Sequence, residues 1–225
     1  VENLTIVTPS TWLAELVKQS FLKEYPVKVI NNGVDLDIFK PSKNNSVRQK
    51  YGIKEKHVIL ALFNVFSKYK GTDYLIKLTD YLTDDEVLVV VGLNKNDFHK
   101  LPKKHCLGIE HTDSIQELAA IYSLAEVFVN PTLQDTFPTT NLEALACGTP
   151  IVTFRTGGSV ESITNQTGIV VEQNDMDGLL SAIRTILCNG KEHYVDACRK
   201  KAERDYNKDI QYGKYIELYK NILSR

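Results

Sequence analysis

The sequence has no excess of charge of one sign, no long apolar run and no paired cysteines. Its 27 lysine and arginine residues nearly balance 28 aspartate and glutamate residues, which gives a formal net charge of -1. No overall field therefore draws the protein to nucleic acid or to anionic lipid. The longest apolar runs, such as residues 87–91, are far too short to span a bilayer and indicate buried strands. Any site for an anion must be local.

Metal-binding and redox motifs are also missing from the sequence. The cysteines lack the spacing of zinc sites or redox motifs, so we expect reduced, mostly buried thiols in a cytosolic protein. The four are Cys106, Cys147, Cys188 and Cys198. His105 and His111 are isolated, and two lone histidines do not define a metal site. We therefore predict no metal ion and no cofactor. The chain shows no signal peptide pattern and begins at Val1 without Met, so we expect a fragment or a processed form.

Strand-like and helix-like segments alternate from Leu4 to Val171, which is typical of a parallel sheet with crossover helices. The 225 residues, 43% of them hydrophobic, suffice for one sizeable core. Strands are predicted at 4–7, 27–30, 58–63, 87–91, 105–107, 127–129, 151–154 and 169–171. Helices are predicted at 10–21, 47–51, 72–82 and 114–124, then from Asp175 or Asp177 onward and over 191–225 with a break near Asn207. The fold class is α/β.

Residues 134–150 are the most informative stretch of the chain. The preceding strand ends at Asn130, and the strong helix formers of residues 142–146 follow a polar loop. Pro138 suits the first helical position, and Gly148 suits a left-handed cap after the last turn. Asp135 is then in the loop and Glu143 just inside the helix. Ligands of open α/β sheets bind in this crevice beyond the carboxyl ends of the strands.

Two further interpretations concern the same region. The backbone N–H groups of Thr139 and Thr140, in the first turn of the helix, favour an anion such as phosphate. Alternatively, residues 140–143 fit a capping box, in which Glu143 would reach back to a free backbone N–H.

The apolar stripe of the 114–124 helix, which includes Leu118 and Tyr122, predicts core packing and nothing more.

Six segments in one order resemble the nucleotide-sugar-dependent retaining glycosyltransferases of family four, also described as glycosyl transferases group 1. They are residues 29–41, Lys70-Gly71, Gly108, 135–150, 157–161 and 167–172. This family has the GT-B fold of two Rossmann-like domains with helices on both faces of each parallel sheet. The resemblance covers essentially the whole chain and implies the second, donor-binding domain.

The resemblance implies catalytic roles for three residues. Asp135 would face the transferred sugar, Glu143 would hold the nucleotide ribose, and Lys70 would neutralise the diphosphate. Gly108 and Ile109 would lie under the base. The remaining donor-binding residues that it implies are Lys68, Asn64, Thr136, Phe137, Thr139 and Thr140.

The chain departs from the family pattern at two places. Asp135 stands where glutamate is usual. The arginine that usually precedes the lysine by five or six residues is replaced by Val65 and Asn64, so Lys68 is the candidate for the second positive charge. A non-catalytic scaffold or regulatory domain with weakened diphosphate binding is therefore the alternative to a transferase. A sugar nucleotide epimerase or a phosphorylase fits the segments less well.

The resemblance also implies an organisation in which this chain supplies only part of an enzyme. Residues 1–40 would be an interdomain segment and the remnant of an amino-terminal domain, residues 41–206 the nucleotide-sugar-binding domain, and residues 207–225 a helix packing back toward the missing domain. The stripe of Tyr212, Tyr215 and Tyr219 would meet that domain. The complete protein would transfer a hexose-type sugar from UDP or GDP, without a metal, to a glycan or lipid-linked acceptor in polysaccharide biosynthesis. We expect a cytoplasmic location, with peripheral association at the inner face of the membrane allowed, and an inactive isolated fragment.

Overall fold

The computed structural model describes residues 4–43, 46–54, 56–63, 67–94 and 96–224. The first part of the chain forms a two-stranded parallel sheet of β1 (Ile6–Thr8) and β2 (Val27–Val29), connected by helix α1 (Thr11–Lys18). Ser10 caps α1, because its hydroxyl accepts a hydrogen bond from the Leu13 backbone N–H.

The main sheet has six parallel strands. They are β3 (His57–Leu62), β4 (Glu86–Val91), β5 (Cys106–Ile109), β6 (Val127–Asn130), β7 (Ile151–Phe154) and β8 (Gly168–Val171). Their spatial order is β5-β4-β3-β6-β7-β8. The central strands are continuous branched apolar runs and almost wholly buried, as parallel strands are when helices cover both faces. From β3 the chain runs through β4 to β5 at one edge, then returns to β6 on the other side of β3 and continues to β8 at the opposite edge. The switch point of a Rossmann-like fold therefore lies between β3 and β6.

Helices cover both faces of this sheet. The helices that follow α1 are α2 (Ser46–Lys50), α3 (Thr72–Leu78), α4 (Ile115–Leu124), α5 (Thr139–Ala146), α6 (Met176–Asn189), α7 (Glu192–Asp205) and α8 (Lys208–Leu223), of which α8 is mostly exposed. Helix α4 packs on β3 and α5, and α7 packs on α5, while α6 packs on β6, β7 and β8. Tyr74 of α3 meets Phe154 of β7 edge-on, with ring centroids 4.9 Å apart. The predicted α/β class with helices on both faces is confirmed.

Most predicted element ends agree with the structure to within two residues. Ser114 and Asp175 cap α4 and α6 through their side chains, and Asn207 caps α8 at the predicted break. The helix predicted over 72–82 was too long, because α3 ends at Leu78 and a 3₁₀ turn continues to Tyr81. The helix predicted over 10–21 also ends early, at Lys18. Every strand except the seventh differs from its predicted bounds by one or two residues at one or both ends.

All four cysteines are free, and three of them are at least partly shielded from solvent. Cys147 and Cys198 are buried and Cys106 is intermediate, whereas Cys188 is exposed. Burial raises the pKa of the Cys106 thiol to about 11. Within the described ranges, no helix is long and apolar enough to cross a membrane. The same residues contain no group of three or more histidine, cysteine, aspartate or glutamate side chains that could hold a metal ion.

Candidate nucleotide-sugar site

A cavity of about 400 Å³ opens beyond the carboxyl ends of β3 and β6. This is the switch point of the sheet, where ligands of Rossmann-like folds bind, and the volume is within the range of small-molecule pockets. Its lining comes from the end of β3, the turn before α3, α4, the end of β6 and the start of α5. The lining residues are Leu62, Phe63, Lys70, Leu118, Asn130, Asp135, Phe137, Pro138, Thr139, Thr140 and Glu143.

Lys70 and Asp135 form an ion pair at this cavity. The Lys70 Nζ donates to Asp135 Oδ2 at 2.7 Å, and both side chains are half-buried. Gly71 makes the approach possible: its φ of 73° is left-handed, and a Cβ there would overlap the Pro131 carbonyl. The other carboxylate oxygen of Asp135 accepts from the Phe137 backbone N–H at 3.2 Å. Two side chains that lie 65 positions apart in the sequence thus meet in the crevice.

Glu143 lies in the same cavity and accepts a hydrogen bond from a residue that the sequence pattern assigned to the core alone. The Tyr122 hydroxyl donates to Glu143 Oε2 at 2.9 Å. Burial raises the pKa of Glu143 to about 7, while the tyrosine hydrogen bond opposes that rise. The prediction that Tyr122 serves core packing alone was wrong, because its ring is in the core but its hydroxyl reaches the crevice.

The predicted capping box does not form. Helix α5 begins at Thr139, and Pro138 is its N-cap residue rather than its first helical residue, with φ −69° and ψ 119°. Thr140 is therefore inside the first turn, where its side chain cannot act as a cap. Glu143 consequently turns to Tyr122 instead of reaching back to a backbone N–H. The predicted left-handed cap at Gly148 is confirmed, with φ 72°.

The start of α5 adds positive potential to the cavity. The N–H groups of Thr139 and Thr140 belong to the first helical turn, which has no intrahelical acceptors for them. Both residues line the cavity that also holds the Lys70 ammonium. Oriented N–H groups at a helix start attract an anion such as phosphate. The arrangement can therefore hold an anionic group between Lys70 and α5.

A glycine turn fixes the loop that carries Asp135. The 3₁₀ turn Gly157–Ser162 packs so closely that a Cβ on Gly157 would overlap the Asp135 carbonyl, and one on Gly158 the Thr136 carbonyl. The carboxylate of Glu161, in the same turn, accepts from the backbone N–H groups of Thr11 and Trp12 at the start of α1. The turn therefore ties the candidate site to the first part of the chain.

A buried polar network fixes helix α5 itself. The Asn141 side-chain amide donates to the hydroxyls of Ser159 and Ser162, both at 3.1 Å, and its oxygen accepts from Asn130 at 2.9 Å. Sequence reasoning missed Asn130 and Asn141 because their partners lie on other elements. The only signal for them was a polar residue at a strand end and another on the inner face of a helix.

The remaining predicted site residues, with the exception of Phe137, lie away from the cavity or outside the described part. Lys68 and Thr136 are exposed and do not line it. Gly108 and Ile109 lie in β5, two strands from β3, so their contact with a base stays a prediction. Asn64 and Val65, where the family arginine was sought, fall outside the described residues. Phe137 lines the cavity and is otherwise buried.

The sheet order and the crevice define a Rossmann-like domain with an anion-compatible site at its switch point. Residues 43–205 match the family described as Glycosyl transferases group 1. Because this match covers most of the chain, the protein belongs to that family. A D-inositol 3-phosphate glycosyltransferase of Kribbella flavida is 29% identical, over 76% of this chain and 45% of its own length. An uncharacterised glycosyltransferase of Methanocaldococcus jannaschii is 26% identical, over 97% and 60% respectively.

Solved structures confirm the fold. Sucrose-phosphate synthase from Thermosynechococcus elongatus superposes with a TM-score of 0.87 at 21% identity, over 99% of this chain and 59% of the synthase. The Anabaena protein HepE, in complex with UDP-glucose, gives a TM-score of 0.80 at 18% identity, over 96% and 64%. The domain is thus one Rossmann-like half of the GT-B fold. The chain spans about half the length of the curated relatives it matches.

Proposed function

We propose that this chain is the donor-binding half of a retaining glycosyltransferase that uses a nucleoside diphosphate sugar of uridine or guanosine. One observation carries the proposal: Lys70, Asp135, Glu143 and the first turn of α5 converge on one cavity at the switch point. The family membership supports a glycosyltransferase, and the UDP-glucose in the HepE structure supports a nucleotide sugar.

Each group in the cavity suits one part of such a donor. The Lys70 ammonium and the N–H groups of Thr139 and Thr140 would hold the diphosphate and stabilise the charge that develops as it leaves, without a metal. Asp135 would accept from a hydroxyl of the transferred hexose. Glu143 would accept from the two ribose hydroxyls, since an ionised carboxylate can make two charge-assisted hydrogen bonds.

A second domain would complete the enzyme, and an uncovered apolar face supports this part of the proposal. On α8, the side chains of Tyr212, Ile216 and Tyr219 are each more than half exposed, and Leu223 is 86% exposed. An amino-terminal domain that supplies the acceptor site would cover them. The acceptor would be a glycan or a lipid-linked sugar at the inner face of a membrane, and the chain alone would transfer nothing.

Calorimetric titration tests the donor site directly. Uridine and guanosine diphosphates, with and without attached sugars, are titrated into the wild type and Glu143→Ala. We expect weak binding of one nucleotide series and a loss of about tenfold or more in Glu143→Ala, because a hydrogen bond to a charged group contributes about 1.5–3 kcal/mol. Glu217→Ala, which removes an exposed carboxylate on α8, is the matched control.

Two results would contradict the proposal. One is the absence of binding by every nucleotide at millimolar concentration. The other is binding that Glu143→Ala and Glu217→Ala change equally. Either result would favour the alternative of a non-catalytic scaffold that kept the fold and lost the donor.

A further inference from the structure

Tyr122 combines complete burial with a hydroxyl that ends at the candidate site. Its exposed fraction is 0%, and its ring packs edge-on against Phe39 and Phe128 with centroids 6.1 and 5.4 Å away. A buried tyrosine hydroxyl needs a polar partner, and this one donates to Glu143 Oε2 at 2.9 Å. A ring held on two sides in this way gives the hydroxyl a fixed position.

Hydrogen bonds also fix the backbone of Tyr122. The Thr149 hydroxyl donates to the Tyr122 carbonyl at 2.6 Å. The Lys191 ammonium donates in turn to the Thr149 hydroxyl at 3.0 Å and to the Ser123 carbonyl at 2.5 Å. Hydrogen bonds thus link the start of α7 and the turn after α5 to the backbone of Tyr122, and the hydroxyl of Tyr122 contacts Glu143.

We infer that Tyr122 is a positioning residue for nucleotide binding, which fixes the Glu143 carboxylate by holding Oε2 and leaves Oε1 for the ribose hydroxyls. This inference rests on the proposed function. Tyr122 is fully buried in the apolar stripe of α4, and a residue in such a stripe is ordinarily expected to serve packing alone. The inference gives it a role in ligand recognition as well. Tyr122 does not itself line the cavity, so it acts through Glu143.

The role has a consequence for proton binding. A hydroxyl that donates to a carboxylate favours its ionised form, whereas burial favours the protonated form. The other titratable groups around Glu143 are Cys147 on the same helix, and Lys70 and Asp135 across the cavity. All three remain in Tyr122→Phe, which also keeps the ring. Only the hydrogen bond to Glu143 is lost, so the pKa of Glu143 should rise by about one unit or more.

The test measures binding of uridine diphosphate glucose between pH 6 and 9. Its two phosphates do not titrate in this range, and ionisation of the uracil imide toward pH 9 affects both proteins alike, so the ratio of the two affinities reports on the protein. With the pKa of Glu143 moved from about 7 to about 8, we expect Tyr122→Phe to bind about fivefold more weakly at pH 7. At pH 9, where both proteins are ionised at this position, the affinities should agree within about twofold. Tyr194→Phe is the control, since Tyr194 is also buried but its hydroxyl accepts from Asn189.

A second measurement does not depend on binding. In the free protein, carbon-13 labelled glutamate carboxyls are titrated by NMR, and Glu143→Gln identifies the signal of Glu143. We expect its midpoint to move upward in Tyr122→Phe and to stay in Tyr194→Phe. Equal midpoints, or a loss of affinity that is the same at every pH, would overturn the inference. If the wild type binds no sugar nucleotide while the NMR midpoint still moves, the proposed function fails instead.

Discussion

Replacing Glu143 by glutamine should stabilise the empty protein, and the gain should depend on pH. Burial raises the pKa of Glu143 in the folded protein to about 7 from its ordinary 4.5. The folded state therefore holds this proton more tightly than the unfolded state does. The associated stability is fully present below pH 4.5 and is lost as the pH rises toward 7. Above about pH 8 the folded protein carries a constant penalty for a partly buried charge.

The size of the penalty follows from the shift. A difference of one pKa unit corresponds to about 1.36 kcal/mol, so the full penalty is about 3 kcal/mol, as an upper limit because solvent in the cavity screens the charge. Between pH 5 and pH 8, about 2.5 kcal/mol of it develops. Glu143→Gln keeps an oxygen for the Tyr122 hydroxyl and has no charge to bury. The difference in the free energy of unfolding between Glu143→Gln and the wild type should therefore be about 2.5 kcal/mol larger at pH 8 than at pH 5.

Urea unfolding followed by circular dichroism measures this difference in nucleotide-free protein. At pH 8 the variant should also melt about 5–10 °C above the wild type. Glu217→Gln removes an exposed carboxylate of α8, and its difference in stability from the wild type should be the same at pH 5 and pH 8. A gap between Glu143→Gln and the wild type that is the same at pH 5 and pH 8 would refute the reasoning, because it would show that the charge of Glu143 costs nothing on folding.

Three further variants test other contacts of the site. Lys70→Met should weaken uridine diphosphate binding by about tenfold in calorimetry, whereas Lys77→Met, at an exposed position of α3, should not; equal losses would indicate a general surface field. Gly157→Ala should lower the free energy of unfolding by about 2 kcal/mol or more, because the new Cβ would overlap the Asp135 carbonyl and the residue has a φ of 46°. Gly213→Ala is the control in α8: its new Cβ meets no other atom, and it should raise the free energy of unfolding by about 0.5–1 kcal/mol. Asn141→Ala should cost about 2 kcal/mol in urea unfolding by leaving buried partners unsatisfied, and a neutral result would show that they find other partners.

Much of the fold followed from local pattern. The strand at 151–154 agrees with its predicted bounds, because a β-branched run between a proline and a polar turn has few other uses. The helices predicted from Ser114 and from Asp175 or Asp177 are capped by Ser114 and Asp175, and the predicted break near Asn207 is a helix cap as well. These starts were accessible from the sequence because capping is a contact over three residues or fewer. The alternation of strands and helices was sufficient to predict a parallel sheet.

The site was predictable in composition but not in geometry. The segment order placed Lys70, Asp135 and Glu143 together, and the structure brings them to one cavity. The ion pair between the first two, and the hydrogen bond from Tyr122 to the third, depend on elements that meet only in the folded protein. The capping box failed for the same reason: it needs Thr140 as the N-cap, but the helix is capped two residues earlier at Pro138, and Glu143 faces a tertiary partner.

The charges of the site are arranged so that a donor can replace one set of partners by another. Lys70 is paired with Asp135, and Glu143 is close to half protonated near neutral pH. On the proposed function, the diphosphate would compete with Asp135 for the lysine, and Asp135 would then be free to accept from a sugar hydroxyl. Because a nucleotide without sugar would leave Asp135 with no new partner, the sugar should recover part of the cost of opening the ion pair. In Asp135→Asn the lysine has no ion pair to open, so uridine diphosphate should bind at least as tightly as to the wild type. Uridine diphosphate glucose should lose affinity relative to uridine diphosphate, and the same change for both ligands would contradict this exchange.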